Sequence, residues 1–307
     1  MKSLFKIIFV TIIVFFVKVP AQDKFECRRL TFDPAQEGFA TWSPDGKSII
    51  FQHTDLKDTT GKNGLWKILP DETGAIQIFS GIAEHAKWSP NGRFIVFDSD
   101  TGNSIKMIPA EGGEPINFLP DTIQVQNGGL PCWSPDASQI AFKDAEYSLC
   151  VYNMKTDKIA RVFKHASLLL LPGCWSEDGK YVFIALWDKP SRKSTMWKIS
   201  SDGKERKQIT GHHENFYRYL ALSPDGSLLV YGVLEGRYVG LYIMSAEGGR
   251  SLPLSITTQG HNEGPNWSPD GKKIAFTSTR SGNFDIWIMD VDIEQLKREL
   301  QELNKFE

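Results

Sequence analysis

Six stretches of this chain open on nearly the same letters, and that repetition constrains the fold more than any other feature. They are TWSPDGKSIIF from Thr41, KWSPNGRFIVF from Lys87, CWSPDASQIAF from Cys132, CWSEDGKYVFI from Cys174, ALSPDGSLLVY from Ala221 and NWSPDGKKIAF from Asn266. The anchors Trp42, Trp88, Trp133, Trp175, Leu222 and Trp267 follow one another at intervals of 46, 45, 42, 47 and 45 residues. A period near 45 with only strand signals inside it marks a β-propeller, because helical repeats of that length show a 3.6-residue pattern that is missing here. Six copies predict six blades.

Within one unit the letters read as strand, turn, strand. Trp-Ser closes a short strand, Pro fixes φ at the first corner, Asp suits the second, and Gly accepts the left-handed conformation that sends the chain back. An apolar strand such as Ile274 to Phe276 follows, then a third strand such as Phe284 to Asp290, a Gly-rich turn such as Ala246 to Gly249, and a fourth strand such as Lys207 to Thr210. Four antiparallel strands make a blade, and the repeated indole fills the gap between neighbouring blades. Three positions depart from the pattern: Ala137 in place of Gly, Glu177 in place of Pro, and Leu222 in place of Trp. Each is expected to weaken its blade modestly.

The two ends of the repeat array complement each other. The last unit stops after its third strand near Asp292, and Cys27 to Phe32 matches the fourth strand of other units, so the head of the chain is expected to complete blade six. Such closure removes two open sheet edges. The final segment, 293–307, places Ile293, Leu296, Leu300 and Leu303 at helical spacing and predicts an amphipathic helix that packs against the last blade, with docking of a partner as the alternative.

At the other end, Lys2 and Lys6 precede an apolar run from Ile7 to Val17, followed by Val19-Pro20-Ala21. This is the pattern of a secretory signal peptide cleaved after Ala21, and the run is too short for the roughly 20 residues of a spanning helix. The organisation expected is thus a signal peptide over 1–21, a propeller over 22–292 and a helix over 293–307, in a periplasmic or secreted monomer without stable membrane insertion. Without Lys2, Lys6 and Lys18 the mature chain carries 32 basic and 37 acidic residues, which argues against a nucleic-acid partner. Four cysteines do not make a disulfide scaffold. Cys132 and Cys174 occupy equivalent places in adjacent blades, which normally sit too far apart for a bridge, so free buried thiols are the expectation and a disulfide the alternative.

The combination of Trp-Ser-Pro-Asp-Gly, Ile-Ala-Phe, Ile-Trp-Ile-Met-Asp, Gly-Gly and Leu-Thr resembles the repeat of the TolB-like six-bladed propellers, architectural relatives of the WD-repeat propellers. The resemblance covers roughly residues 25–292. It implies an all-β six-bladed propeller and a periplasmic or secreted binding platform for a protein or peptide partner, with envelope-associated partners among those expected. Other relatives of that kind are the gating propellers of prolyl peptidases and a few propeller lyases. The α/β domain that TolB carries ahead of its propeller finds no counterpart between Ala21 and the first strand, which argues against a Tol-system role.

Motifs of chemistry are sparse. A Gly-x-Ser-x-Gly elbow, a His-x-x-x-His pair and a Cys-x-x-Cys pair are all absent from the sequence, so no cofactor, metal or catalytic residue is predicted from a local motif. Because strands alternate in direction, the loops after the second and fourth strands of every blade share one face, opposite the Ser-Pro-Asp-Gly turns. On that loop face the candidate binding residues are His53, His85, Gln126, Trp187, His213, Tyr231, Arg237, His261 and Arg280, with aromatic and charged side chains suited to recognition. The function expected is a non-catalytic binding platform for a protein, peptide or glycan. The alternative is a metal-assisted lyase or hydrolase acting on a carbohydrate or peptide in the central funnel, its ion held by imidazoles and carboxylates from different blades.

Overall fold

A computed structural model describes residues 22–99, 103–120, 122–165, 168–211, 215–256 and 260–305. The signal peptide expected over 1–21 lies outside them. The described strands form six antiparallel sheets, one per repeat. Blade 1 holds β3 (Gln36–Trp42), β4 (Ile49–Thr54), β5 (Gly64–Ile68) and β6 (Ile76–Ser80). Blade 2 holds β7 (Ala83–Trp88), β8 (Phe94–Ser99) and β9 (Ser104–Pro109), and its fourth strand is reduced to a bridge between Met107 and Ile116. Blade 3 comprises β10 (Cys132–Trp133), β11 (Gln139–Lys143), β12 (Ser148–Asn153) and β13 (Lys158–Lys164), and blade 4 comprises β14 (Leu169–Trp175), β15 (Tyr181–Asp188), β16 (Lys193–Ser200) and β17 (Arg206–Gln208). Blade 5 is β18 (Phe216–Leu222), β19 (Leu228–Glu235), β20 (Tyr238–Ser245) and β21 (Leu252–Ile256), and blade 6 begins with β22 (Asn262–Trp267), β23 (Lys273–Ser278) and β24 (Asp285–Asp290).

The head of the chain closes the ring as expected, and does more. β2 (Cys27–Arg29) pairs with β24, in the register Cys27 to Met289, Arg28 to Ile288 and Arg29 to Trp287. Ahead of it β1 (Gln22–Asp23) adds a fifth strand to blade 5 by pairing with β21. The first eight described residues therefore span the seam between blades 5 and 6, an attachment the repeat pattern does not reveal.

The repeated letters explain themselves at the turn. In blade 1 the Gly46 N–H donates to the Ser43 carbonyl at 2.9 Å, and Gly46 sits at φ 71°. The Ser43 hydroxyl donates to Asp45 Oδ1 at 2.6 Å and accepts from the Ser48 N–H at 2.9 Å. One hydroxyl thus fixes the turn and starts the returning strand, which is why Ser recurs in all six copies.

The core lies between blades. Six clusters of buried apolar residues fill the six gaps, each built on the anchor of one blade or on Leu222, which packs half-buried between blades 4 and 5. Three anchor indoles also tie their blade to the preceding one. The indole N–H groups of Trp88, Trp133 and Trp175 donate to the carbonyls of Thr41, Lys87 and Cys132 at 3.2, 3.2 and 3.0 Å. Helix α1 (Ile293–Asn304) starts at Asp292, whose side chain accepts from the Gln295 N–H, and buries Leu296 and Leu300. It packs on the cluster shared by blades 5 and 6 rather than on the last blade alone, and Lys297 reaches Asp225 in the turn of blade 5 at 2.6 Å. Among the described residues no helix is long and apolar enough to cross a membrane, and all four cysteines are free.

Candidate functional site

The innermost strand of each blade runs from the loop face to the turn face, and in five of the six it carries an irregularity about three residues before its anchor. The register slips between Gly38 and Thr41, Glu84 and Lys87, Pro172 and Cys174, Arg218 and Ala221, and Glu263 and Asn266. A β-bulge of this kind bends the strand and re-aims a side chain. Phe39, His85, Leu130, Tyr219 and Gly264, each three residues before an anchor, have φ of 54°, 52°, 51°, 55° and 62°. Only Gly takes that region freely, so the four bulky residues hold strain of about 1 kcal/mol or more each. Pro172 occupies the sixth position, where its ring forbids a positive φ.

Three of these residues meet on the propeller axis. The Phe39 ring lies 4.4 Å from the His85 ring and 5.1 Å from the Tyr219 ring, and His85 stacks on Tyr219 at 5.7 Å. Blades 1, 2 and 5 thereby plug the channel on the loop side. Against the plug lies a chamber of about 40 Å³, lined by the plug rings, by Lys87 and by apolar residues such as Leu130, Pro131, Pro172 and Pro265, room for roughly three waters.

Charged groups hold the plug in place. His85 Nδ1 lies 2.9 Å from Asp98 Oδ2. The Asp98 side chain is fully buried and also accepts from the N–H groups of Gly129 and Leu130 at 2.7 and 3.1 Å. One carboxylate therefore fastens both the imidazole and the connection into blade 3. The same connection carries the Asn127 carbonyl, which accepts from the Nζ of buried Lys143 at 3.0 Å. Across the axis the Arg218 guanidinium donates to Tyr219 Oη at 2.8 Å, lies 4.6 Å from the tyrosine ring and reaches Glu263 Oε2 at 3.4 Å. Burial pushes the Tyr219 phenol above its ordinary value, with Arg218 acting against it, so the hydroxyl stays neutral. The site thus offers two stacking rings, an imidazole oriented by a carboxylate, and a part-exposed guanidinium. Among the described residues no three His, Cys, Asp or Glu side chains converge as a metal site would require.

The residues singled out from the sequence scatter. His85 stands at the axis. Gln126 and Arg237 are exposed on loop-face connections, and Trp187 and His261 are half-buried, Trp187 edge-on to Phe216 at 4.3 Å. His213 lies outside the described residues. Three others differ from their expected surface role. His53 is 5% exposed, with Nδ1 3.3 Å from Glu37 and its ring 5.5 Å from Trp66. Tyr231 is 1% exposed inside the core, its hydroxyl 2.5 Å from Ser251 Oγ. Both lie mid-strand, where the side chain faces a neighbouring blade instead of the rim. Arg280 spends its donors internally, pairing with Asp23 and donating to Ser255, Asn262 and Ser278, so it clamps β1 rather than reaching outward. Phe39, Tyr219 and Arg218 escaped the sequence reading. The common offset of Phe39 and Tyr219 from their anchors is visible in the sequence, but the bulge that turns them to the axis is not.

Comparison with known proteins agrees with this architecture. The TolB beta propeller domain family matches residues 141–304, just over half of the chain. An uncharacterized protein of Agrobacterium fabrum is 25% identical over 193 residues, 49% of this chain and 64% of that protein. Dipeptidyl-peptidase 5 of Porphyromonas gingivalis is 32% identical over 260 residues, 79% of this chain but 37% of the peptidase. The chain thus spans less than two thirds of either curated relative. The crystal structure of TolB from Acinetobacter baumannii superposes with a TM-score of 0.61 at 15% identity, over 84% of this chain and 64% of that one.

Proposed function

The chain belongs to the TolB β-propeller family, and on that premise we propose that it is an exported, non-catalytic binding platform that takes a segment of a protein or peptide, or a glycan, on its loop face. Four strained non-glycine residues around one axis carry this reading. A fold retains about 1 kcal/mol per left-handed residue where the position of the side chain matters, and ligand clamps are where such strain gathers. Phe39 and Tyr219 supply rigid rings of the kind that anchor interfaces, and Arg218 adds a directional donor. Gln126 and Arg237 stand exposed on the same face. Its place is the periplasm or the exterior, where the leader of the sequence would send it.

The test is photo-crosslinking in living cells of the source organism, with p-benzoylphenylalanine in place of Gln126 or Arg237 on the loop face, and of Asp45 or Asp178 on the turn face. Discrete adducts are expected from the loop-face positions only, and Tyr219→Ala should remove them. Adducts of equal yield from both faces, or from neither, would overturn the proposal.

A further inference from the structure

The opposite end of the axial channel has a different chemistry. A funnel of about 350 Å³ opens on the turn face, rimmed by Pro44, Pro90, Pro135 and Pro224 and walled by the residues at and before the anchors. That volume lies within the range of small-molecule sites, about 300–1,000 Å³. Lys87, Gly173 and Leu220 line both the funnel and the chamber against the aromatic plug, so Lys87 stands at the neck between them.

Lys87 is the one cationic side chain lining the funnel, and its ammonium has no hydrogen-bond, ion-pair or aromatic partner among the described residues. Its neighbours at the equivalent inner-strand positions are neutral: Thr41, Cys132, Cys174, Ala221 and Asn266. Burial pushes the amine below the ordinary lysine value, with only the Cys132 and Cys174 thiols acting against it. Asn266 turns its carbonyl to the Trp42 N–H at 3.0 Å, and its side-chain N–H groups have no partner among the described residues. The Thr41 hydroxyl is already spent on the Ala86 carbonyl. The funnel therefore offers an unpaired cation and amide donors deep inside, beneath an apolar rim. Its single carboxylate, Glu177, is exposed at the mouth, in the place where other units carry Pro.

We infer that this funnel is a second ligand site, on the face opposite the proposed platform, and that it takes an organic carboxylate with an apolar body, its anion against Lys87 and its body against the proline rim. An anion seated there meets the otherwise uncompensated ammonium and favours its charged form. Such a carboxylate comes either from a small free acid or from the end of a peptide chain.

Calorimetric titration of the full mature protein with phenylacetate and with its neutral isostere phenylacetamide tests the assignment. Phenylacetate should bind, and bind more tightly than the amide by ~10- to 100-fold, the span of a charged hydrogen bond. Lys87→Met should abolish that preference, and Glu177→Gln should strengthen phenylacetate binding. In the unaltered protein, nuclear magnetic resonance of the indole N–H groups should show phenylacetate moving the Trp42 and Trp267 signals at the funnel and leaving that of Trp187 on the loop face unmoved. The peptide Gly-Ala-Phe, as free acid and as C-terminal amide, separates the two sources, because a chain-end ligand requires the free peptide to bind more tightly than phenylacetate. No binding of either acid, equal binding of acid and amide, or a preference that survives Lys87→Met would overturn the inference.

Discussion

At Glu37 the fold holds a carboxyl group in a place that does not suit its charge. The residue is 4% exposed, one oxygen faces His53 at 3.3 Å, and the other has no partner among the described residues. Burial raises its pKa above the ordinary 4.5, with Thr31 and His53 acting against it. A carboxyl raised in the folded state favours the fold while protonated, below about pH 4.5, and withdraws that stability as pH climbs through the folded value. Glu37→Gln mimics the protonated form. It should raise the unfolding free energy at pH 7 by about 1 kcal/mol and change little at pH 4, which urea denaturation at the two pH values reads directly. An equal effect at both values would contradict the burial argument. The sequence shows Glu37 and His53 only as two polar letters 16 residues apart. Their meeting inside blade 1 depends on the pairing of Glu37 with His53 across β3 and β4, a register that the letters suggest and the side-chain directions complete.

Among the elements, the turn is the most legible and the bulge the least. Every letter of Ser-Pro-Asp-Gly has a local reason, so a departure has a local cost. Ala137 replaces Gly and is held at φ 57°, while the surrounding hydrogen bonds persist, with the Ala137 N–H donating to the Ser134 carbonyl at 2.9 Å. Ala137→Gly relieves the left-handed strain but adds freedom to the unfolded chain, and the difference should stabilise the protein by about 0.5–1 kcal/mol. Thermal unfolding checks this, and a lower melting temperature would show that blade 3 tolerates the alanine for another reason. The bulges of the inner strands had no such signature. Phe39, Leu130 and Tyr219 look like ordinary strand residues, since a positive φ in a bulky residue is imposed by the neighbouring blades crowding the axis, not preferred by its own side chain. The helix was legible in its apolar spacing, yet its seat across two blades follows from where the ring places blades 5 and 6.

For the molecule as a whole, stability rests on how the ring is fastened. β2 seals blade 6, and the Asp23–Arg280 clamp, both side chains more than four-fifths buried, ties β1, seated on blade 5, to the β23–β24 loop of blade 6 across the seam. The Arg280 guanidinium also lies 4.8 Å from the Trp287 ring and 5.3 Å from that of Phe276. A double-mutant cycle on Asp23→Ala and Arg280→Ala should give a coupling of about 2 kcal/mol in urea unfolding, less than a fully buried pair because water still reaches it. A coupling below ~0.5 kcal/mol, the level at which separate sites simply add, would mean that the clamp is incidental. By itself the sequence determined the number of blades, the turn face and the loop face, and the exchange of a strand between the two ends, because periodicity and turn chemistry act over a few residues and repeat. Only the tertiary structure decided which side chains share the axis, that His53 and Tyr231 are inside, that Arg280 is a clamp, and that Lys87 lines the funnel with no partner among the described residues. Those facts depend on contacts between blades some 45 residues apart in sequence, where packing against a neighbour, and not the residue's own preference, sets the direction of the side chain.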